Sequence, residues 1–124
     1  EAEGVDWIIF NPPFRLGLEF IHRAMQLKPR VGFAAIVRIA FAEGIQRYNE
    51  LFRDHPPTLE VQPCERVPMV ESRYDPDAST ATCYRWFVWM PGRPREPTLW
   101  MPPCHDRLYR ADDVEFEKEA ADVC

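Results

Sequence analysis

The sequence predicts one α/β domain on a mixed sheet of about four strands. Three observations carry this. Apolar runs of strand type alternate with segments of helical periodicity, which implies parallel pairing through right-handed crossovers. A final strand-like run follows a polar loop rather than a helix, so it can pair antiparallel. The 124 residues, 46% hydrophobic and 13% aromatic, are enough to bury a real core.

The elements follow in chain order. "VDWIIF" (5–10) is a continuous apolar run, as expected of a strand covered on both faces. It stops at Asn11-Pro12-Pro13-Phe14. In "RLGLEFIHRAMQLKP", Leu16, Phe20, Ile21, Ala24 and Leu27 recur at helical spacing, and Lys28 and Pro29 mark the end. "RVGFAAIVRIAF" (30–41) reads as a second buried strand. In "AEGIQRYNELFRDHPP", Ile45, Tyr48, Leu51 and Phe52 share one helical face, stopped by Pro56 and Pro57. "TLEVQPCERVPM" (58–69) reads as an irregular or edge strand, because Pro63 and Pro68 interrupt it. Residues 70–82 are polar and rich in turn formers, hence a loop. "CYRWFVWM" (83–90) is aromatic and β-branched, a strand. "PGRPREPTLWMPPCHD" reads as irregular, and the acidic "RADDVEFEKEAADV" as a terminal helix or frayed tail.

The net charge of −5 argues against a polyanion partner, but its distribution qualifies that. Residues 15–95 hold twelve Lys or Arg against nine Asp or Glu; residues 96–124 hold three against eight. The middle of the chain is therefore mildly basic, which permits such a partner. No stretch is apolar for long enough to span a membrane, and the acidic N-terminus is unlike a secretion signal. A cytoplasmic protein is expected. Cys64, Cys83, Cys104 and Cys124 form no CxxC pair, so reduced thiols and no metal are expected.

Asn11-Pro12-Pro13-Phe14 is the stretch with chemical content. In open α/β sheets, ligands bind beyond the carboxyl ends of the strands. Asn11 offers a carbonyl acceptor, and Pro12 keeps its backbone acceptor while lacking an N–H. Pro12 and Pro13 stiffen the bend, so the two acceptors hold their separation. Phe14 adds a flat apolar face. Two fixed acceptors and a ring suit a planar amine on a heterocycle. Drawing both its hydrogens away takes the lone pair out of conjugation and makes the nitrogen a better nucleophile, by preorganisation rather than general base catalysis. Asn-Pro also occurs as a plain turn starter, and that reading stands beside the chemical one.

The stretch resembles motif IV, (Asp/Asn/Ser)-Pro-Pro-(Tyr/Phe), of the class I S-adenosylmethionine-dependent amino-methyltransferases. "RLGLEFIHRAMQL" is similar to the helix after that motif in phage-type adenine-N6 DNA methyltransferases. The resemblance covers about residues 5–90. It implies a partial Rossmann-like methyltransferase sheet, with parallel strands and an antiparallel C-terminal strand. Residues 1–95 would be the C-terminal, catalytic half of the domain, and 96–124 a proline-rich, then acidic tail. Asn11 and Pro12 would bind the target amine, Pro13 would hold the bend, and Phe14 would stack on a flipped-out base. Asp6 and Asn11 would face S-adenosylmethionine; for Asp6, capping a turn is the alternative. The reaction implied is methyl transfer to a nucleobase amine, adenine N6 in DNA. RNA guanine amines and protein glutamine amides are alternative targets of the same motif.

One departure from the family is large. Its cofactor is held by a glycine-rich turn, whereas this chain has five glycines and no GxG. A fragment, a split subunit or an inactive nucleic-acid- or partner-binding remnant is the corresponding expectation. The "DWIIF" strand would then expose an edge, inviting a companion chain or a homodimer.

The remaining candidates are cationic or aromatic. Arg38 lies inside an apolar run, facing either a phosphate or base, or a local carboxylate. Arg66, Arg73 and Arg85 flank the loop 70–82, where the resembling enzymes contact nucleic acid; plain solvated arginines are the alternative. Phe41 and Tyr48 read as core, and Trp86 and Trp89 as sheet packing.

Overall fold

The computed structural model describes residues 4–67, 69–70, 73–74 and 83–111. The first apolar run forms β1 (Trp7–Phe10), which pairs in parallel with β2 (Gly32–Arg38); Ile8 lies opposite Phe33 and Phe10 opposite Ala35. The crossover is α1 (Gly17–Leu27), entered through a 3-10 turn at Phe14–Leu16. That tighter turn rotates the helical stripe. Leu18, Ile21 and Ala24 are buried, while Leu16 and Phe20, expected in the stripe, stay exposed. Lys28 ends the helix in the left-handed region (φ 51°), its N–H bonded to the Met25 carbonyl at 3.3 Å.

β2 is buried from Gly32 to Val37, as a strand covered on both faces should be. It stops at Arg38, short of the predicted Phe41, and the chain turns through a 3-10 segment, Ile39–Ala42. The second helix is shorter than its pattern predicts. It comprises α2 (Ile45–Arg47) and a π-helical turn, Tyr48–Phe52, in which the Arg53 N–H reaches the Tyr48 carbonyl at 2.9 Å. The wider turn breaks the expected face. Leu51 is fully buried, but Ile45 and Tyr48 are 83% and 56% exposed, so Tyr48 is not core.

β3 (Leu59–Pro63) ends well before Met69, at a proline that has no N–H for a ladder. Inside the segment predicted as strand end and loop, β4 (Met69–Val70) and β5 (Arg73–Tyr74) pair antiparallel as a separate small sheet. The rest of 70–82 lies outside the described residues, as does the acidic stretch 112–124. β6 (Tyr84–Trp89) is antiparallel to both β2 and β3 and lies between them. A strand absent from the sequence reading, β7 (Leu99–Met101), pairs in parallel with β3. The sheet order is β1-β2-β6-β3-β7. A one-turn helix, α3 (His105–Leu108), follows.

Residues opposite one another in the register share a face of the sheet. Ile8, Phe10, Phe33, Ala35, Val37, Phe87 and Trp89 therefore face α1, where they pack with Leu18, Ile21, Ala24, Phe41 and Leu51 in the core. The Phe33 and Trp89 rings stack at 5.2 Å between centroids. Phe41 is thus core, as read from the sequence, and Trp89, read as sheet packing, is buried in that core too. Gly32 has no room for a side chain: a Cβ there would lie 2.2 Å from the Trp89 carbonyl oxygen. β1 is an edge strand, and Ile9, on the face away from α1, is 64% exposed. Among the described residues, no helix is long and apolar enough to cross a membrane.

Candidate functional site

β1, β2 and β3 run in one direction, because β6 is antiparallel to β2 and β3 while β1 is parallel to β2. Their carboxyl ends therefore share one rim of the sheet, where Asn11, Arg38, Arg66 and the start of β6 at Tyr84 come together. The bend after β1 is built locally. Pro13 is in the extended region (φ −56°, ψ 139°), and its carbonyl accepts the Leu16 N–H at 3.0 Å, which turns the chain into α1. Pro12 is buried, Asn11 half-buried, and Phe14 is 37% exposed.

Asn11, Pro12 and Phe14 line a cleft with Val37, Arg38 and Tyr84. Its volume is about 40 Å³, room for a single water rather than a base. The Arg38 guanidinium lies over the Phe14 ring, 5.0 Å from its centroid. Arg47 lies 5.3 Å from the same ring and 4.9 Å from that of Phe41. It is anchored by donating to the carbonyls of Glu43 (2.5 Å) and Ala40 (3.3 Å). The α1 start approaches Phe41 closely because residue 17 is glycine; a Cβ there would come within 2.9 Å of the Phe41 ring. Two cations on one half-exposed ring each contribute about 0.5–1 kcal/mol and leave positive charge at the rim.

Arg47 escaped the sequence reading. The signal was positional: residues just after the carboxyl end of β2 emerge on the same rim as those after β1. Arg38 resolves in the structure as an exposed cation with no carboxylate within 4.0 Å among the described residues.

The other candidates divide. Arg66 is exposed on the same rim, beside a second hollow that shares Tyr84 with the Asn11 cleft. Arg85 is committed elsewhere. It points to the α1 face, donating to Glu60 at 3.2 Å and Gln62 at 2.9 Å, with its side chain only 22% exposed. It is neither a solvated arginine nor a cation available to a phosphate. The Arg73 side chain lies outside the described residues. Asp6 sits at the opposite end of β1 from Asn11, about 16 Å along the strand. Its Oδ1 accepts a bond from Arg30 Nε at 2.8 Å and pairs with Arg30 Nη2 at 2.8 Å, and its carbonyl accepts from Val31 and Gly32. It caps the α1–β2 junction, the structural alternative named for it.

Cys64, Cys83 and Cys104 are free thiols. Among the described residues, no group of three or more His, Cys, Asp or Glu is placed to hold a metal ion. No protein-family model, curated protein or solved structure matches this chain.

S-adenosylmethionine does not fit the Asn11 cleft as it stands. The Asn11 cleft has room for about one water, and Asp6 is turned to Arg30 at the far end of the strand.

Proposed function

We propose that this chain is the amine-binding half of a nucleic-acid methyltransferase, with adenine N6 in DNA as its target. The observation that carries the reading is the placement of Asn11-Pro12-Pro13-Phe14. The bend closes a parallel strand on the carboxyl rim, and its amide and its ring border one cleft. The antiparallel strand implied by the resemblance also has a counterpart in β6, which supports a partial Rossmann-like methyltransferase sheet.

The chemistry this chain supplies is positioning. Asn11 Oδ1 and the Pro12 carbonyl accept the two amine hydrogens, and Phe14 stacks on the base. Entry of the base requires the Arg38 guanidinium to leave the Phe14 ring. A displaced Arg38 then faces the target's phosphate, with Arg47 and Arg66 on the same rim. The methyl donor, S-adenosylmethionine, would be held by residues other than those described, seated against the open edge of β1, where unpaired strand groups invite pairing.

The committed Asp6 and the tight cleft favour a second reading, a binding domain for nucleic acid or a partner without turnover. Binding of single strands separates both readings from a plain structural turn. Fluorescence anisotropy should show tighter binding to oligo-dA than to oligo-dT, with the preference lost in Asn11→Ala and Phe14→Ala. Equal affinities for the two strands would overturn the adenine assignment. Isothermal titration with S-adenosylmethionine is expected to give no heat from the chain alone; a saturable signal would show that it holds the cofactor after all.

A further inference from the structure

A large cavity lies at the other end of the sheet from Asn11. It is a groove of about 650 Å³ between the carboxyl end of α1, the segment before β3 and the turn after β6. That volume is in the range of small-molecule sites, about 300–1,000 Å³. Its accessible apolar lining is Met25, Pro29, Pro56 and Pro91, together with the buried core residues Phe33, Trp89 and Met90, which are 1%, 4% and 8% exposed.

The groove is held in shape by several bonds. The Trp89 indole Nε1–H donates to the His55 carbonyl at 2.9 Å. The buried Thr58 hydroxyl accepts the Met90 N–H at 2.8 Å. Beyond Met90 the chain makes a tight turn, with Pro91 at its second position, Gly92 at positive φ (86°) and the Arg93 N–H on the Met90 carbonyl at 3.1 Å. This is the residue pattern of a type II turn, in which proline and glycine fix the conformation. The turn sets Arg93 on the rim.

The rim is cationic. Lys28, Arg93 and Arg95 line it against one carboxylate, Asp54, which pairs with its neighbour Arg53 at 3.4 Å. Arg95 reaches Glu60 at 3.7 Å. Among the described residues, Lys28 and Arg93 have no carboxylate within 4.0 Å. The negative end of α1 also faces this groove, with Lys28 next to it, so an anion is favoured on the Arg93 side.

We infer that this groove binds a small molecule with an apolar body and one acidic group, the body against Met25, Pro29, Pro56 and Pro91 and the acid at Arg93. The inference is independent of the Asn11 site. A lining of methionine and proline side chains accepts an apolar body without fixing its shape. The Arg93 guanidinium, which donates to Met90 Sδ at 3.6 Å and has no carboxylate within 4.0 Å among the described residues, selects a carboxylate, sulfonate or phosphate.

The test uses the full chain and two probes with the same body. One is 1-anilinonaphthalene-8-sulfonate; the other is N-phenyl-1-naphthylamine, which lacks the sulfonate. Fluorescence titration should give one sulfonate probe per chain. Arg93→Glu should weaken that probe by about tenfold, the loss of one charge-assisted contact, and leave the neutral probe within about twofold. Arg93→Gln should fall between. Circular dichroism checks that both variants remain folded, as expected for an exposed side chain. Ile9→Asp, on the exposed edge strand, should leave the sulfonate affinity unchanged. Equal sulfonate affinity in all the Arg93 variants would overturn the assignment, and so would loss of binding in Ile9→Asp, which would place the probe on the β1 edge.

Discussion

Replacing Thr58 with valine keeps the side chain's shape and removes one hydroxyl that two backbone groups use. Thr58 is 6% exposed; its Oγ1 accepts the Met90 N–H at 2.8 Å and donates to the Met90 carbonyl at 3.3 Å. The two losses differ in weight. The Met90 carbonyl keeps the Arg93 N–H at 3.1 Å, so losing a long second bond costs little. The Met90 N–H is left facing a methyl group in a buried site, which costs about 1–3 kcal/mol. The expected loss is thus about 2 kcal/mol, set almost wholly by the orphaned donor. Urea unfolding followed by tryptophan fluorescence reads this directly. With a slope of about 1–3 kcal/mol per molar urea, the midpoint should fall by about 1 M without a change in slope. Thr58→Ser keeps the hydroxyl and should lose less than about 1 kcal/mol. A Thr58→Val protein as stable as Thr58→Ser would show that the hydroxyl does not hold the end of β6.

Three further outcomes are expected. Gly32→Ala should lose about 3 kcal/mol or more, because its Cβ meets the Trp89 carbonyl oxygen at 2.2 Å and strand backbone cannot yield as a side chain does; an unchanged urea midpoint would refute the close approach. Arg85→Met should lose about 1–2 kcal/mol, since Arg95 still reaches Glu60 at 3.7 Å, and should leave the salt dependence of oligonucleotide binding unchanged. Arg38→Gln should do the reverse: stability within about 0.5 kcal/mol, and a salt slope shallower by about one unit in anisotropy titrations. An unaltered slope would remove Arg38 from any phosphate contact.

The sequence carried the α1 face of the fold well and its edges poorly. Phe33, Val37, Phe87 and Trp89 were legible because buried strands of continuous apolar character leave few other readings. Placing β6 between β2 and β3 was not legible, since periodicity reports which face a residue takes but not which strand lies beside it. β7 was hidden for a local reason: a three-residue strand flanked by Pro97 and Pro102 is too short to show alternation, and proline is tolerated at a sheet edge. The exposure of Ile45 and Tyr48 follows from a π turn that no spacing of apolar residues announces. At the candidate site, the position of Asn11 and Phe14 was read from four residues. The burial of Arg85 against Glu60 was not, because that pair joins positions 25 apart in the chain.

β6 lies between β2 and β3, yet it is made some twenty residues after β3 ends. During synthesis, β1, α1 and β2 can assemble as a unit while β3 waits without its neighbour. The sheet becomes continuous only when Tyr84–Trp89 emerges and threads into the gap, so closure depends on contacts distant in sequence and should set the pace of folding. Until then β2 and β3 each offer a bare ladder of hydrogen-bonding groups, and a nascent chain paused before residue 84 is the form most exposed to misassembly.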